Sequence, residues 1–141
     1  RSKKWELTLY GDSPISNTKD AIFRHPFVKN IEEISQPDVL LDLDIEVADV
    51  YVPGKSYTYL STEIPILVIS PVNSALRDFY EVGNNEIEIN EELGVVVVVN
   101  HELHLKNVLK LLEDRPFKCI SDSRLKLKEN RKLNDLRQLF N

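Results

Sequence analysis

Residues 38–71 read DVLLDLDIEVADVYVPGKSYTYLSTEIPILVISP, and the way this stretch divides decides the fold. Val39-Leu40-Leu41-Asp42-Leu43-Asp44 is an apolar run ending in acids, the pattern of a strand leaving the interior. Pro53-Gly54-Lys55 starts a helix: proline's fixed φ suits the first helical position, where its missing N–H costs nothing. Ile66-Leu67-Val68-Ile69 is a second apolar run, re-entering through Ile64-Pro65. Strand, helical crossover and strand make one βαβ unit. Strands apolar on both faces belong to a parallel sheet that is covered on both sides.

The flanks extend this pattern. Trp5 to Tyr10 alternates apolar and polar and stops at Gly11-Asp12-Ser13-Pro14, a strand followed by a turn. Asn17 or Thr18 is placed to cap a short helix reaching about Phe23. Residues 26–30 predict a short strand and residues 31–35 about one helical turn. Downstream, helices are predicted near 73–82, 101–113 and 123–140, and a strand over Gly94–Val99. In the last helix Leu125, Leu127, Leu133, Leu136, Leu139 and Phe140 supply a partial apolar stripe. The acidic, alternating GNNEIEINEE of residues 83–92 fits either a short edge strand or a loop. The expectation is one doubly wound, Rossmann-like α/β domain over 1–141, with a mostly parallel sheet and helices on both faces. Its core spans about 5–113, and a C-terminal helix spans about 123–140.

Bulk properties narrow the function classes. The chain has 141 residues, 42% apolar and 29% charged, enough for one domain with a real core. Its longest apolar run, Val95–Val99, is too short to cross a bilayer. No charged-then-apolar leader opens it. The single cysteine, Cys119, has no internal partner, which points to a reducing, cytoplasmic setting. One Cys and three His (His25, His101, His104) give no basis for a zinc cluster. Residues 1–100 carry 8 basic and 17 acidic side chains, an acidic body unsuited to nucleic acid. Residues 101–141 carry 10 and 6. That basic tail suits either a solvated helix face or peripheral contact with an anionic surface such as a membrane.

In open parallel sheets, ligands bind outside the carboxyl ends of the strands. The turns after Leu9-Tyr10-Gly11, after Leu43-Asp44 and after Ile69-Ser70 occupy those ends, and the loop 44–56 is the richest. Gly54 lets a ligand approach the backbone, and free N–H groups at a helix start favour anions. Lys55 adds a charge and Ser56 a hydroxyl. Two readings stay open from the residues alone: a diphosphate cradle, or a Pro-initiated helix with Lys55 in solvent.

The same stretch resembles the nucleotide-sugar-binding half of retaining glycosyltransferases with the two-domain GT-B fold, in the group that builds bacterial capsules and O-antigens. The resemblance rests on the Asp-Val-Leu-Leu strand, then Val-Pro-Gly-Lys-x-Tyr-x-Tyr-Leu, then Ile-Pro-Ile-Leu, with LGVVVVVN and ELTLYGDSP as further matches. It covers about residues 5–113. It implies that the backbone N–H groups of Gly54, Lys55 and Ser56 receive the donor diphosphate, with Lys55 as the motif lysine. Thr58 stands where the family usually has a glutamate that grips the ribose, and Val50 where many members have another that touches the donor sugar. Threonine keeps a hydrogen-bonding side chain, whereas valine has none. Gly11, Asp12, His25 and Asp44 would line the same mouth. The family's phosphate-binding Arg and Lys, and its acceptor-binding N-terminal half, have no counterpart here. The expectation is therefore a C-terminal fragment, incomplete at its N-terminus and inactive alone. In the full-length enzyme the resemblance implies metal-independent hexosyl transfer with retention, from a nucleotide diphosphate to a saccharide or lipid-linked acceptor. The donor is a substrate, no cofactor is expected, and the setting is cytoplasmic or peripheral to the inner membrane.

Other residues invite chemistry that the pattern does not support. His101 and His104 lie at metal-ligand spacing but lack a third ligand in the sequence nearby. Asp42 and Asp44 point to one face of a strand and read as polar strand-end residues. Cys119 has no neighbour to activate a thiol. Tyr59 with Leu60 reads as core rather than as a base-stacking platform. Two rival readings remain: a docking module that has lost donor binding, and a flavodoxin-like domain. The lack of Gly-x-Gly-x-x-Gly argues against dinucleotide binding.

Overall fold

A computed structural model describes residues 5–10, 22–25, 37–44, 54–114 and 121–140. The chain divides into two units, Arg1–Pro37 and Asp38–Asn141.

In the first unit, β1 (Leu7–Tyr10) pairs in parallel with β2 (Ile22–His25), Leu7 opposite Ile22 and Tyr10 opposite His25. The helix expected to reach Phe23 is corrected here, because Ile22 and Phe23 belong to a strand. A β-branched and an aromatic residue fit a pleated surface, and pairing with β1 fixes them there. The expected elements at 26–30 and 31–35 lie outside the described residues.

The second unit is built on the βαβ run: β3 (Leu40–Leu43), α1 (Gly54–Leu60) and β4 (Ile66–Ile69). After it come α2 (Ala75–Phe79), β5 (Ile87–Asn90), β6 (Val95–Val98), α3 (Glu102–Asp114) and α4 (Ser121–Phe140). The strands form one sheet in the order β3-β4-β6-β5. Leu40, Ile66 and Val95 align at the amino end of the three parallel strands, and Leu43, Ile69 and Val98 at the carboxyl end. β5 closes the edge antiparallel to β6, with Ile87 opposite Val98 and Ile89 opposite Val96. The 83–92 segment thus resolves into an edge strand. Ile87 and Ile89 fall on one face by the two-residue period, opposite the apolar face of β6.

Both faces are covered. Val95 to Val98 are all buried, as are Ile66, Leu67 and Val68. On one face Leu67, Val96 and Val98 pack with Val108, and Leu105, Leu109 and Leu112 extend the stripe along α3 at i, i+3, i+4 and i+7. Each such buried side chain contributes about 1.5–3 kcal/mol relative to exposure. The other face carries Leu40, Asp42, Ile66, Val68, Val95 and Val97. Hydrogen bonds from Ser56 of α1 and from Tyr80, just after α2, reach Asp42 there. The architecture is an α/β sheet, open and mostly parallel, with helices on both faces.

Several boundaries differ from expectation for local reasons. α2 is shorter than 73–82 because Asn73 and Glu81 both adopt positive φ, 60° and 56°, and bracket it. Ser74 caps its start by accepting the Arg77 N–H at 3.3 Å. In α4 the predicted stripe holds at Leu127, which is buried, and fails at Leu125, which is 50% exposed. The reading of the basic tail as a solvated face fails at Arg124, which is fully buried. Its guanidinium donates to the carbonyls of Leu93 at 2.6 Å, Thr62 at 2.8 Å and Gly94 at 3.3 Å. Among the described residues, no helix is long and apolar enough to cross a membrane.

Candidate functional site

Asp42 ties β3 to α1. Its side chain is fully buried, and Oδ2 accepts from Ser56 Oγ at 2.6 Å and from Tyr80 Oη at 2.7 Å. Both bonds are short and charge-assisted, so each is stronger than a neutral pair. Ser56 meets Asp42, and Tyr59, nearly one turn later, donates to the Leu41 carbonyl at 3.3 Å. α1 therefore runs back along β3 from its carboxyl end, as the crossover between two parallel strands requires. Ser56 and Leu60, spaced i and i+4, form the buried side of α1, while Lys55 and Thr58 face outward.

The second oxygen, Asp42 Oδ1, is buried and has no hydrogen-bond partner among the described residues. Lys55 Nζ lies 3.8 Å from it, beyond hydrogen-bond reach, on a side chain that is 41% exposed. A buried carboxylate, two hydroxyl donors and one half-exposed ammonium thus converge at the carboxyl end of β3. Burial, and then the Asp42 charge, hold the Tyr80 phenol far above its usual value, so it remains a donor throughout the ordinary pH range. The same two causes raise Tyr59.

The sequence-predicted residues fall into distinct situations. Gly54 opens α1, and Lys55 is available at the surface. Ser56 is not free as a side chain, since its hydroxyl is committed to Asp42 and only its backbone faces the helix start. Thr58 is exposed, on the side of α1 away from the sheet. Asp44 is half-buried just past β3, its N–H bonded to the Ile69 carbonyl at 2.9 Å. His25 is the last residue of β2, beside Tyr10 at the carboxyl end of that pair. Val50, Gly11 and Asp12 lie outside the described residues. Tyr57 packs on Phe79 with ring centroids 5.0 Å apart, so neither tyrosine of α1 is a free stacking platform.

Sequence reasoning missed the role of Asp42, which it took for a polar strand end. The available signal was an acid at a position facing the same way as Leu40, inside a run otherwise apolar. Such a residue needs partners, and these come from 14 and 38 residues away. It also missed Arg77, whose buried guanidinium gathers the carbonyls of Pro71 at 3.0 Å, Gly83 at 2.9 Å and Asn85 at 2.6 Å. This clamp fixes the turn after β4 at the same end of the sheet.

On the far flank, His104 Nε2 lies 2.7 Å from a Glu86 carboxylate oxygen, and the His101 and His104 rings are 4.9 Å apart. An open groove of about 650 Å³ there is lined by Val72, Asn84, Asn85, Glu86, Ile87 and His104. None of its lining residues belongs to α1, and the polar ends of Asn84 and Asn85 are occupied by Asn73 N–H and Glu88. The convergence of charge at Lys55 and Asp42 makes the α1 end the better candidate. No family model, no curated protein and no solved structure matches this chain.

Proposed function

We propose that residues 38–141 form the donor-binding lobe of a retaining GT-B glycosyltransferase, one that takes a hexosyl unit from a nucleotide diphosphate. One observation carries the reading. At the carboxyl end of a parallel sheet, α1 begins at Gly54 and is bolted to β3 through Ser56 and Asp42, with the Lys55 ammonium at the surface. Gly54, Lys55 and Ser56 of the motif that suggests the family thereby lie at the end of the sheet where ligands of such folds bind.

In this reading the backbone N–H groups of Gly54 to Ser56 and the Lys55 ammonium stabilise the departing diphosphate, so the lobe's contribution is electrostatic. Thr58 makes one hydrogen bond to the ribose in place of a bidentate carboxylate. The acceptor, a saccharide or a lipid-linked sugar, is bound by a separate lobe, and residues 1–141 alone do not turn over. No metal or cofactor has a part. The intact enzyme works on the cytoplasmic face, in polysaccharide synthesis.

The second reading, a docking lobe without donor, draws on one specific observation: the Ser56 hydroxyl is spent on Asp42. Titrating the chain with UDP, GDP and their sugar conjugates separates the two, with backbone amide shifts as the readout. Shifts confined to Gly54–Thr58, with one base preferred, support the donor lobe. An unchanged spectrum with every nucleotide overturns it.

A further inference from the structure

We propose that the outer edge of β5 is a docking site for an extended, basic segment of another protein, which adds a strand to the sheet. The hydrogen-bond pattern shows which groups are offered. Val99 N–H donates to the Glu86 carbonyl at 3.0 Å, and Ile87 stands opposite Val98. In such an antiparallel ladder Glu86, Glu88 and Asn90 turn their N–H and C=O groups toward β6, while Ile87 and Ile89 turn theirs away. β5 ends the strand order β3-β4-β6-β5, and among the described residues nothing pairs with the outward groups of Ile87 and Ile89. The edge therefore presents two donors and two acceptors, the complement of a short added strand. Ile89 is also 42% exposed, on the same face as Ile87, which packs against the core of Leu67, Val96, Val98 and Val108.

Charge selects the occupant. Residues 81–92 carry five glutamates, Glu81, Glu86, Glu88, Glu91 and Glu92, and no lysine or arginine. A second copy of this chain fits poorly: a two-fold pairing that uses both isoleucines sets Glu88 directly against Glu88, and like charges so placed repel. An acidic edge deters pairing with its own kind and favours a strand of opposite charge. Glu88 is already held by the Asn85 side chain at 2.9 Å, so the carboxylate left to receive a partner is Glu86. It is 67% exposed at the groove beyond Ile87; Oε2 meets His104, and Oε1 has no partner among the described residues. Val72, 42% exposed in the same groove, offers apolar surface to the stem of a lysine or arginine whose charge reaches Glu86. The partner is accordingly a strand of alternating basic and apolar residues, its main chain on Ile87 and Ile89 and one basic side chain at Glu86. A four-residue edge buries little area, so the complex is transient.

The probe is an acetylated hexapeptide of alternating lysine and valine, added to the full chain at low salt, with amide hydrogen exchange read residue by residue. Exchange should slow at Ile87 and Ile89, whose N–H groups gain acceptors, and stay unchanged at Glu88 and Asn90, whose N–H groups β6 already holds. N-methylation of the peptide amides that face β5 should weaken binding about fivefold for each bond lost. Glu86→Gln should weaken it several-fold at low salt and little at high salt. Ile89→Pro removes an outward N–H that the ladder to β6 does not use, and should abolish binding. Should that variant not fold, the N-methylated peptide decides alone. Unslowed exchange at Ile87 and Ile89 in millimolar peptide overturns the proposal. So does binding that survives N-methylation, or equal binding of a glutamate–valine hexapeptide. Slowing of the same two amides on concentrating the chain alone would assign the edge to a second copy and overturn it as well.

Discussion

Replacing Tyr80 with phenylalanine removes one oxygen atom from a fully buried ring and creates no cavity of consequence. The atom lost donates to Asp42 Oδ2 at 2.7 Å. A hydrogen bond to a charged group contributes about 1.5–3 kcal/mol, and water cannot replace this one because both residues are shielded. We predict a loss near 2 kcal/mol, which for a unit of roughly a hundred residues lowers Tm by on the order of 10 °C. Urea unfolding is the assay, with the midpoint reduced and the m-value unchanged, since the buried surface stays the same. Ser56→Ala should cost a similar amount. Because both hydroxyls donate to one oxygen, the double variant should depart from the sum of the singles by at least about 0.5 kcal/mol. A Tyr80→Phe chain within about 0.5 kcal/mol of wild type would refute the reasoning, showing that Asp42 does not depend on its buried donors.

Alkali gives an independent check on the same tyrosine. Its folded value is raised, so the native state keeps a proton that the unfolded chain releases above roughly pH 10. Stability is then full below that pH and falls by about 1.4 kcal/mol per unit above it, and Tyr80→Phe should flatten the slope by one proton. Arg124→Met should cost about 3–5 kcal/mol, because it strips donors from the Leu93 and Thr62 carbonyls; calorimetry reads the loss, and a shift below about 1 kcal/mol would contradict the clamp. Gly94→Ala should cost at least about 1 kcal/mol through backbone strain, since Gly94 sits at φ 65°, and urea unfolding reads the loss. Thr58→Glu should tighten UDP several-fold and leave 2′,3′-dideoxy-UDP unchanged, if the exposed Thr58 position faces the ribose as proposed; equal effects on both ligands would argue against it.

The strands at Leu40–Leu43, Ile66–Ile69 and Val95–Val98 were legible because apolar runs bounded by turn residues carry their own signal. The start of α1 was legible from Pro53-Gly54 for the same reason. Where the reading failed, the deciding contact was distant. Ile22–His25 became a strand by pairing with residues fifteen positions earlier, which no local window contains. The ends of α2 were set by two positive-φ residues, neither of them glycine. Asp42, Arg77 and Arg124 look like ordinary polar residues in sequence, and only the fold reveals that each is buried against partners from other elements. The candidate site was half legible: Lys55 from its motif, its counter-charge not at all.

The Arg124 clamp also bears on the order of folding. Thr62 precedes β4, and Leu93 and Gly94 precede β6, so one guanidinium closes the amino ends of two neighbouring parallel strands. It is supplied by a residue 30 to 62 positions later in the chain. During synthesis, the strands exist before the side chain that seals them. Until α4 docks, the Leu93 and Thr62 carbonyls rely on water, whereas the Gly94 carbonyl keeps the Ile66 N–H, and the sheet's amino end stays loose while its carboxyl end is already held by Arg77. Docking of α4 is thus expected as a late kinetic phase, slowed by Arg124→Met in its final step and leaving the earlier collapse of the valine core untouched.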